Sequence, residues 1–187
     1  MTRTAFLIGL FVLPLVAANP AHANGSDGHP SGLGLGGRYS HVTNRDTEEG
    51  THMGGVVARA RSEFVGFEGA VDYRKEDLAA DVDLKTWPAT FSLLLYPIPT
   101  IYGLAGVGWY NSTLDFPSES GFEDRTASDF GYHLGAGIEV PVGESVSLTG
   151  DFRYHFIDQE FNNAPLEFGK VDEDAFALNA GILFYLR

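Results

Sequence analysis

The longest unbroken signal in the chain is an alternation of apolar and polar positions from Asp129 to Asp158. Phe130, Tyr132, Leu134, Ala136, Ile138 and Val140 share one parity, with Asp129, Gly131, His133, Gly135, Gly137 and Glu139 between them. Pro141-Val142-Gly143-Glu144 follows, a run of residues that end strands and permit positive φ. Beyond it, Val146, Leu148, Phe152, Tyr154 and Phe156 alternate with Ser147, Thr149, Asp151, Arg153, His155 and Ile157. Successive side chains of an extended backbone point to opposite faces, so a period of two predicts a β-hairpin. Its strands exceed the roughly 5–6 residues usual in soluble sheets and match the roughly 9–11 that a tilted strand needs to cross a bilayer.

The same rhythm runs through the rest of the chain. Leu33 to Val42 is the first strand, with Leu35 and Tyr39 on one face and Arg38 on the other. After a polar loop from Asn44 to Thr51, Met53 to Arg61 returns, with Val56, Ala58 and Ala60 opposing Arg59 and Arg61. A turn at Ser62-Glu63 leads to Val65, Phe67, Val71 and Tyr73, which alternate with Glu68, Ala70, Asp72 and Arg74. Lys75 to Asp83 reads as a second polar loop. Trp87, Ala89, Phe91, Leu93 and Leu95 then oppose Thr90, Ser92 and Tyr96, and Pro97-Ile98-Pro99 is a tight turn. Ile101 to Phe116 is extended, but its glycines blur the parity and leave its faces unassigned. Pro117 to Ser128 is a third loop, and a fourth runs from the end of the hairpin through Asp174. Phe176, Leu178, Ala180, Ile182, Phe184 and Leu186 close the chain opposite Ala177, Asn179, Gly181 and Tyr185.

About eight strands result, joined alternately by long acidic loops and short turns. The fold class expected is all-β, an eight-stranded antiparallel up-and-down barrel. Alternation alone fits a soluble barrel with an apolar cavity as well as a membrane barrel with an apolar exterior. The sorting of the loops decides between them. Transmembrane barrels place short turns on one side of the bilayer and long loops on the other, which a lipocalin-like carrier has no reason to do.

The N-terminus adds a location. Met1 to Ala23 has the form of a secretory signal peptide: Arg3, an apolar run from Ala5 to Ala18, and Ala21-His22-Ala23 as the cleavage pattern. Residues 24–32 read as a flexible Gly/Ser/Pro-rich tether and 33–187 as the barrel. The chain has no cysteine, which excludes a lipid anchor on sulfur, a disulfide framework and thiolate chemistry. Its formal net charge of -13 excludes nucleic acid as a partner, since nothing neutralises phosphates.

Three segments carry a family resemblance: Tyr102-Gly-Leu-Ala-Gly-Val-Gly108, Gly135-Ala-Gly-Ile-Glu-Val-Pro141 and the closing alternation from Phe176 to Leu186. On these the chain resembles the small outer-membrane β-barrel family that includes OmpX and the membrane domain of OmpA, over Leu33 to Arg187. The resemblance implies a monomer in the cell outer membrane whose partners are outer-membrane lipid, lipopolysaccharide and the barrel-assembly machinery. One departure is the ending, Phe184-Tyr185-Leu186-Arg187, where such barrels usually close on an aromatic residue. No peptidoglycan-binding domain is expected after the barrel.

Candidate chemistry sits on the inward parity. Arg38, Arg59, Arg61, Glu68, Asp72, Arg74, Glu139, Asp151 and Arg153 all fall there, and their charges nearly cancel. A barrel this narrow is filled by side chains, and buried ions must pair. The expectation is a structural salt-bridge core that closes the lumen; which arginine meets Asp151 is left open, with Arg38, Arg59 and Arg61 as candidates. A narrow ion channel is the alternative reading of the same residues. Lipid A-modifying enzymes also use this fold, and His133, His155 and Ser147 share the inward parity near Asp151 and Glu139. The His-Ser-Asn run of the deacylases is absent, so a non-enzyme with no cofactor and no metal centre is expected.

The excess negative charge falls in the loops: Asp46, Glu48 and Glu49; Asp77, Asp81 and Asp83; Glu119, Glu123 and Asp124; Glu167, Asp172, Glu173 and Asp174. These read as a solvated rim, with divalent-cation bridging to lipopolysaccharide as the functional alternative. Trp87, Trp109, Tyr39, Tyr73 and Tyr154 are candidates for the aromatic girdles at the two membrane interfaces.

Overall fold

The computed structural model describes residues 29–44, 50–78, 82–115, 125–159, 171–172 and 174–186. Ten segments of strand account for nearly all of them: β1 (Gly32–Asn44), β2 (Gly50–Arg61), β3 (Val65–Leu78), β4 (Val82–Thr86), β5 (Ala89–Ile98), β6 (Ile101–Asp115), β7 (Arg125–Pro141), β8 (Val146–Gln159), β9 (Val171–Asp172) and β10 (Ala175–Tyr185). All pair antiparallel with their neighbours. β10 pairs with β8 on one side and with β1 on the other, from Gly34 opposite Tyr185 to Asn44 opposite Ala175, so the sheet closes on itself. Closure removes every free edge, which is the condition for a sheet to survive in lipid.

Two pairs of segments are halves of single barrel strands, leaving eight. β4 and β5 both lie between β3 and β6. They part at Trp87-Pro88, where proline has no N–H to give to the ladder. The flanking hydrogen bonds still form: Asp72 N–H donates to the Pro88 carbonyl at 3.0 Å, and Trp87 N–H to the Asn111 carbonyl at 2.9 Å. β9 and β10 likewise both pair with β8.

The strands run further than hydropathy alone implies. β3 and β4 stay paired out to Leu78 opposite Val82, inside the stretch read as a loop from Lys75 to Asp83. Gly50, Thr51, Arg125–Ser128 and Val171–Asp172 are also strand. Beyond the bilayer both faces of the ladder are wet, so polar residues continue it freely and no alternation marks its end. The tight turn also differs from the expected Pro97-Ile98-Pro99. Ile98 pairs with Ile101 across Pro99-Thr100, and the register shifts between Leu95 and Ile98, where Pro97 cannot donate. The signal peptide and most of the tether lie outside the described residues. So do Asp46, Glu48, Glu49, Asp81, Glu119, Glu123, Asp124, Glu167 and Glu173 among the loop carboxylates.

β6 resolves into two faces. Tyr102, Leu104 and Gly108 are buried inside with Gly106 and Tyr110 on the same parity, while Ile101, Ala105 and Trp109 are exposed outside. Its parity is hidden in the sequence because the lumen face carries apolar and aromatic residues and the lipid face carries glycine and alanine. Gly137 on β7 makes room for one of these rings, since a Cβ there would lie 2.6 Å from Tyr102 Cζ.

The exterior is an apolar belt with an aromatic rim at one end. Tyr39, Tyr73, Trp87, Trp109, Phe130, Tyr132 and Phe156 are all exposed on the outward face toward the long loops. Trp109 meets Phe130 edge-on at 5.5 Å between centroids, and Tyr154 meets Phe176 at 4.8 Å. Toward the short turns the exposed residues are mostly aliphatic: Leu35, Leu95, Ile98, Ile101, Val140, Leu148 and Leu186. The five aromatics expected at two interfaces therefore sit together at one.

Candidate functional site in the barrel lumen

Each of the eight barrel strands contributes an inward side chain to one connected set of polar contacts. At the turn end, Arg61 from β2 reaches Glu139 of β7 at 2.9 Å, lies over the Tyr96 ring at 4.1 Å, and donates from Nη2 to the Pro99 carbonyl at 2.5 Å. Glu139 accepts further hydrogen bonds from the hydroxyls of Tyr96 at 2.8 Å and Tyr185 at 2.7 Å. It also accepts from Arg59 Nη1 at 2.9 Å.

Arg59 leads to the middle layer. Its Nε donates to Glu68 Oε2 at 2.9 Å, and its Nη2 pairs with the same oxygen. Arg153 Nη2 donates to the other Glu68 oxygen at 2.7 Å. Arg153 Nε donates to Asp151 Oδ1 at 2.6 Å, and Asp151 also accepts from Asn179 Nδ2 at 2.7 Å and from the Tyr102 hydroxyl at 3.1 Å. Toward the loops, Arg38 Nε donates to Asp72 Oδ1 at 2.9 Å while its Nη2 pairs with Oδ2, and Nη1 approaches Glu68 at 3.5 Å.

Four guanidiniums and four carboxylates thus interlock. Glu68 and Glu139 are 2% and 0% exposed, and Arg59 and Arg153 are 1% each. Buried ions are tolerable only when their remaining lone pairs and N–H groups are also engaged, which the tyrosine hydroxyls and Asn179 accomplish here. Arg74 shares the inward parity but stands nearer the loops, opposite Thr86.

None of the three candidate arginines is the partner of Asp151. Asp151 is held by Arg153, two residues along its own strand, and not by Arg38, Arg59 or Arg61. Residues i and i+2 point the same way from a strand, so this partner was within reach of the sequence pattern. Tyr96, Tyr102, Tyr185 and Asn179 were not singled out as site residues. Tyr96, Tyr185 and Asn179 lie on the assigned inward parity, and Tyr102 was hidden by the glycines of β6.

His133, His155 and Ser147 share the inward parity, but Ser147 stands apart from the two imidazoles. Ser147 pairs in register with Pro141, whereas His133 pairs with His155. Eight residues of strand separate the two levels, about 26 Å at 3.3 Å per residue, so Ser147 is out of reach of either imidazole. The serine beside His133 is Ser92, whose Oγ lies 2.8 Å from Nε2. Among the described residues His133 Nδ1 has no hydrogen-bond partner, so no acid orients that imidazole as a hydrolase base requires. His155 is engaged by the Tyr110 hydroxyl at 2.6 Å. Among the described residues, no cluster of three or more His, Cys, Asp or Glu side chains is placed to hold a metal ion.

Of the loop carboxylates, Asp174 has its side chain described and accepts a hydrogen bond from the Tyr154 hydroxyl. Asp77, Asp83 and Asp172 lie on strands.

Comparison with known proteins agrees with this architecture. Among solved structures, the chain is similar to Neisserial surface protein A, with a TM-score of 0.65 at 16% identity over 83% of this chain and 98% of that one. It is similar to a major outer membrane protein from Thermus thermophilus, with a TM-score of 0.53 at 11% identity over 81% and 98% of the two chains. Outer membrane protein H from Pseudomonas aeruginosa gives 0.53 at 16% identity over 82% and 100%. At such identities the likeness is one of fold. No curated protein matches the sequence. Residues 8–184 match the family described as the outer membrane protein beta-barrel domain. That match spans nearly the whole sequence and every strand of the closed wall: the chain belongs to the outer membrane protein beta-barrel domain family and is an outer-membrane protein.

Proposed function

We propose that this protein serves the outer membrane as a structural or surface-interaction barrel with a sealed lumen, and not as an enzyme or a pore. The observation that carries the reading is the ion-pair network from Arg38 and Asp72 down to Arg61 and Glu139. It spans the bore and leaves its central side chains buried. Moving an ion through it would require parting buried charge pairs, each expensive to separate.

The non-enzymatic part of the reading is supported by the missing orienting acid at His133 and by the burial of Ser92 and His133 at 1% and 0% exposure. An acyl chain has no route to a serine sealed inside the wall. The remaining partners follow from location: lipid and lipopolysaccharide against the exterior, and the assembly machinery during insertion, with the barrel acting as a monomer.

The test is electrical and chemical. Purified protein in planar bilayers is expected to give no resolved conductance steps, and cells with and without it are expected to share one lipid A acyl pattern. Steady single-channel steps would replace the sealed-lumen reading with a channel. An altered acyl pattern would replace it with an enzyme.

A further inference from the structure

Outside the barrel, where β1 and β2 rise above the aromatic rim, two histidines face each other across the ladder. His41 and His52 are directly opposite in register. Their Nδ1 atoms are 3.2 Å apart, and their ring centroids 4.6 Å. Tyr39, on the same outward parity, stacks on His52 at 5.6 Å and brings its hydroxyl oxygen to 2.5 Å from His52 Nδ1. The His41 ring reaches over Gly50, where a Cβ would come within 2.2 Å of Cε1. Glycine at that position leaves the ring its place.

The spacing of the two nitrogens is informative. Imidazole nitrogens bind Zn²⁺ at about 2.0–2.1 Å, so two of them on one tetrahedral ion stand about 3.3 Å apart. The pair already holds that separation, from backbone positions fixed by a closed ladder. Binding replaces the hydrogen bond between the two imidazoles, and the Tyr39 hydroxyl, 2.5 Å from His52 Nδ1, swings outward to take its own position on the ion. We propose that His41 and His52, with the Tyr39 hydroxyl oxygen as a third donor, form a surface site for a single divalent transition ion of the Cu²⁺ or Zn²⁺ type, solvent completing the shell. Imidazole favours these ions over Ca²⁺ and Mg²⁺, which prefer carboxylate and carbonyl oxygen. The site faces outward from the wall at the level of the lipid headgroups, so the ion exchanges with the medium and is not a folding cofactor.

Untagged mature protein, refolded in detergent micelles, would be titrated with Cu²⁺ alone and followed by electron paramagnetic resonance and by melting temperature. The expected result is one equivalent of bound Cu²⁺ with nitrogen hyperfine structure. The melting temperature should rise with free Cu²⁺, because an ion that binds only the folded state stabilises it. His41→Asn and His52→Asn should each weaken binding at least about tenfold, the low end of what even an outer partner of a metal ligand contributes. His29→Asn, away from the pair, should bind as the parent does. Each variant is checked for the gel shift of a folded barrel, and His52→Gln replaces His52→Asn should the latter fail to refold. Absence of a stoichiometric signal in the parent would overturn the proposal. So would unchanged binding in the His41 or His52 variants, or a loss confined to His29→Asn.

Discussion

Replacing Glu68 by alanine is expected to cost the folded barrel about 3–5 kcal/mol, the usual loss when one partner of a buried ion pair is removed. Glu68 is the hub of the lumen. It accepts from Arg59 and Arg153 and stands 3.5 Å from Arg38, so one substitution strips a partner from three guanidiniums at once. Each keeps another carboxylate: Glu139 for Arg59, Asp151 for Arg153 and Asp72 for Arg38. Those contacts keep the loss from being the sum of three separate breaks. The measurement is reversible urea unfolding from lipid vesicles, with Glu63→Ala on the exposed Ser62–Phe64 turn as the near-zero reference. Glu68→Ala combined with Arg153→Ala should cost less than the sum of the two single changes, by about 0.5–3 kcal/mol. Additive losses would mean that the contacts are geometric coincidence and carry no shared energy.

The second large effect belongs to the other face of the same wall. Leu134 lies between Ala105 on β6 and Tyr154 on β8, points outward and is 55% exposed on the isolated chain. On a water-soluble protein an arginine there would cost almost nothing. Facing hydrocarbon on the turn side of Tyr132, Leu134→Arg is expected to be destabilising, up to the roughly 2–4 kcal/mol that an arginine costs at the bilayer midplane. Thr149→Gln, at an inward position on β8, should cost less in the same unfolding assay. If it costs more, the assignment of faces is reversed for this hairpin.

The faces of the wall were legible from the chain because burial obeys a strict period of two wherever one side meets lipid. Arg59, Arg61, Glu68, Asp72, Glu139, Asp151 and Arg153 all lie inside, where their parity put them. Two kinds of information were not legible. Where both faces carry the same polarity, as on β6 or in the wet extensions of β3 and β4, hydropathy has nothing to alternate between. Pairing was the other. Parity says that Glu68 faces the lumen but not that it meets Arg59, Arg153 and Arg38, because that depends on how far each strand is staggered around the barrel. Ser147 and His133 share a parity but stand some eight residues apart in height, a difference that parity does not show.

The way the lumen ions are shared has a consequence for how the barrel comes together. Arg59 joins Glu139 across 80 residues of chain, and Arg153 joins Glu68 across 85. To this network the strands up to β5 supply Arg38, Arg59 and Arg61 against Glu68 and Asp72, one positive charge too many. The strands from β6 onward supply Arg153 against Glu139 and Asp151, one negative charge too many. A half-built sheet in the membrane would strand an uncompensated charge as well as two open edges, and neither half can correct this alone. Insertion is therefore expected to be all-or-none, with the first and last strands meeting before the interior dries and long-range closure setting the folding rate. A four-strand fragment that stayed folded in micelles would contradict this picture.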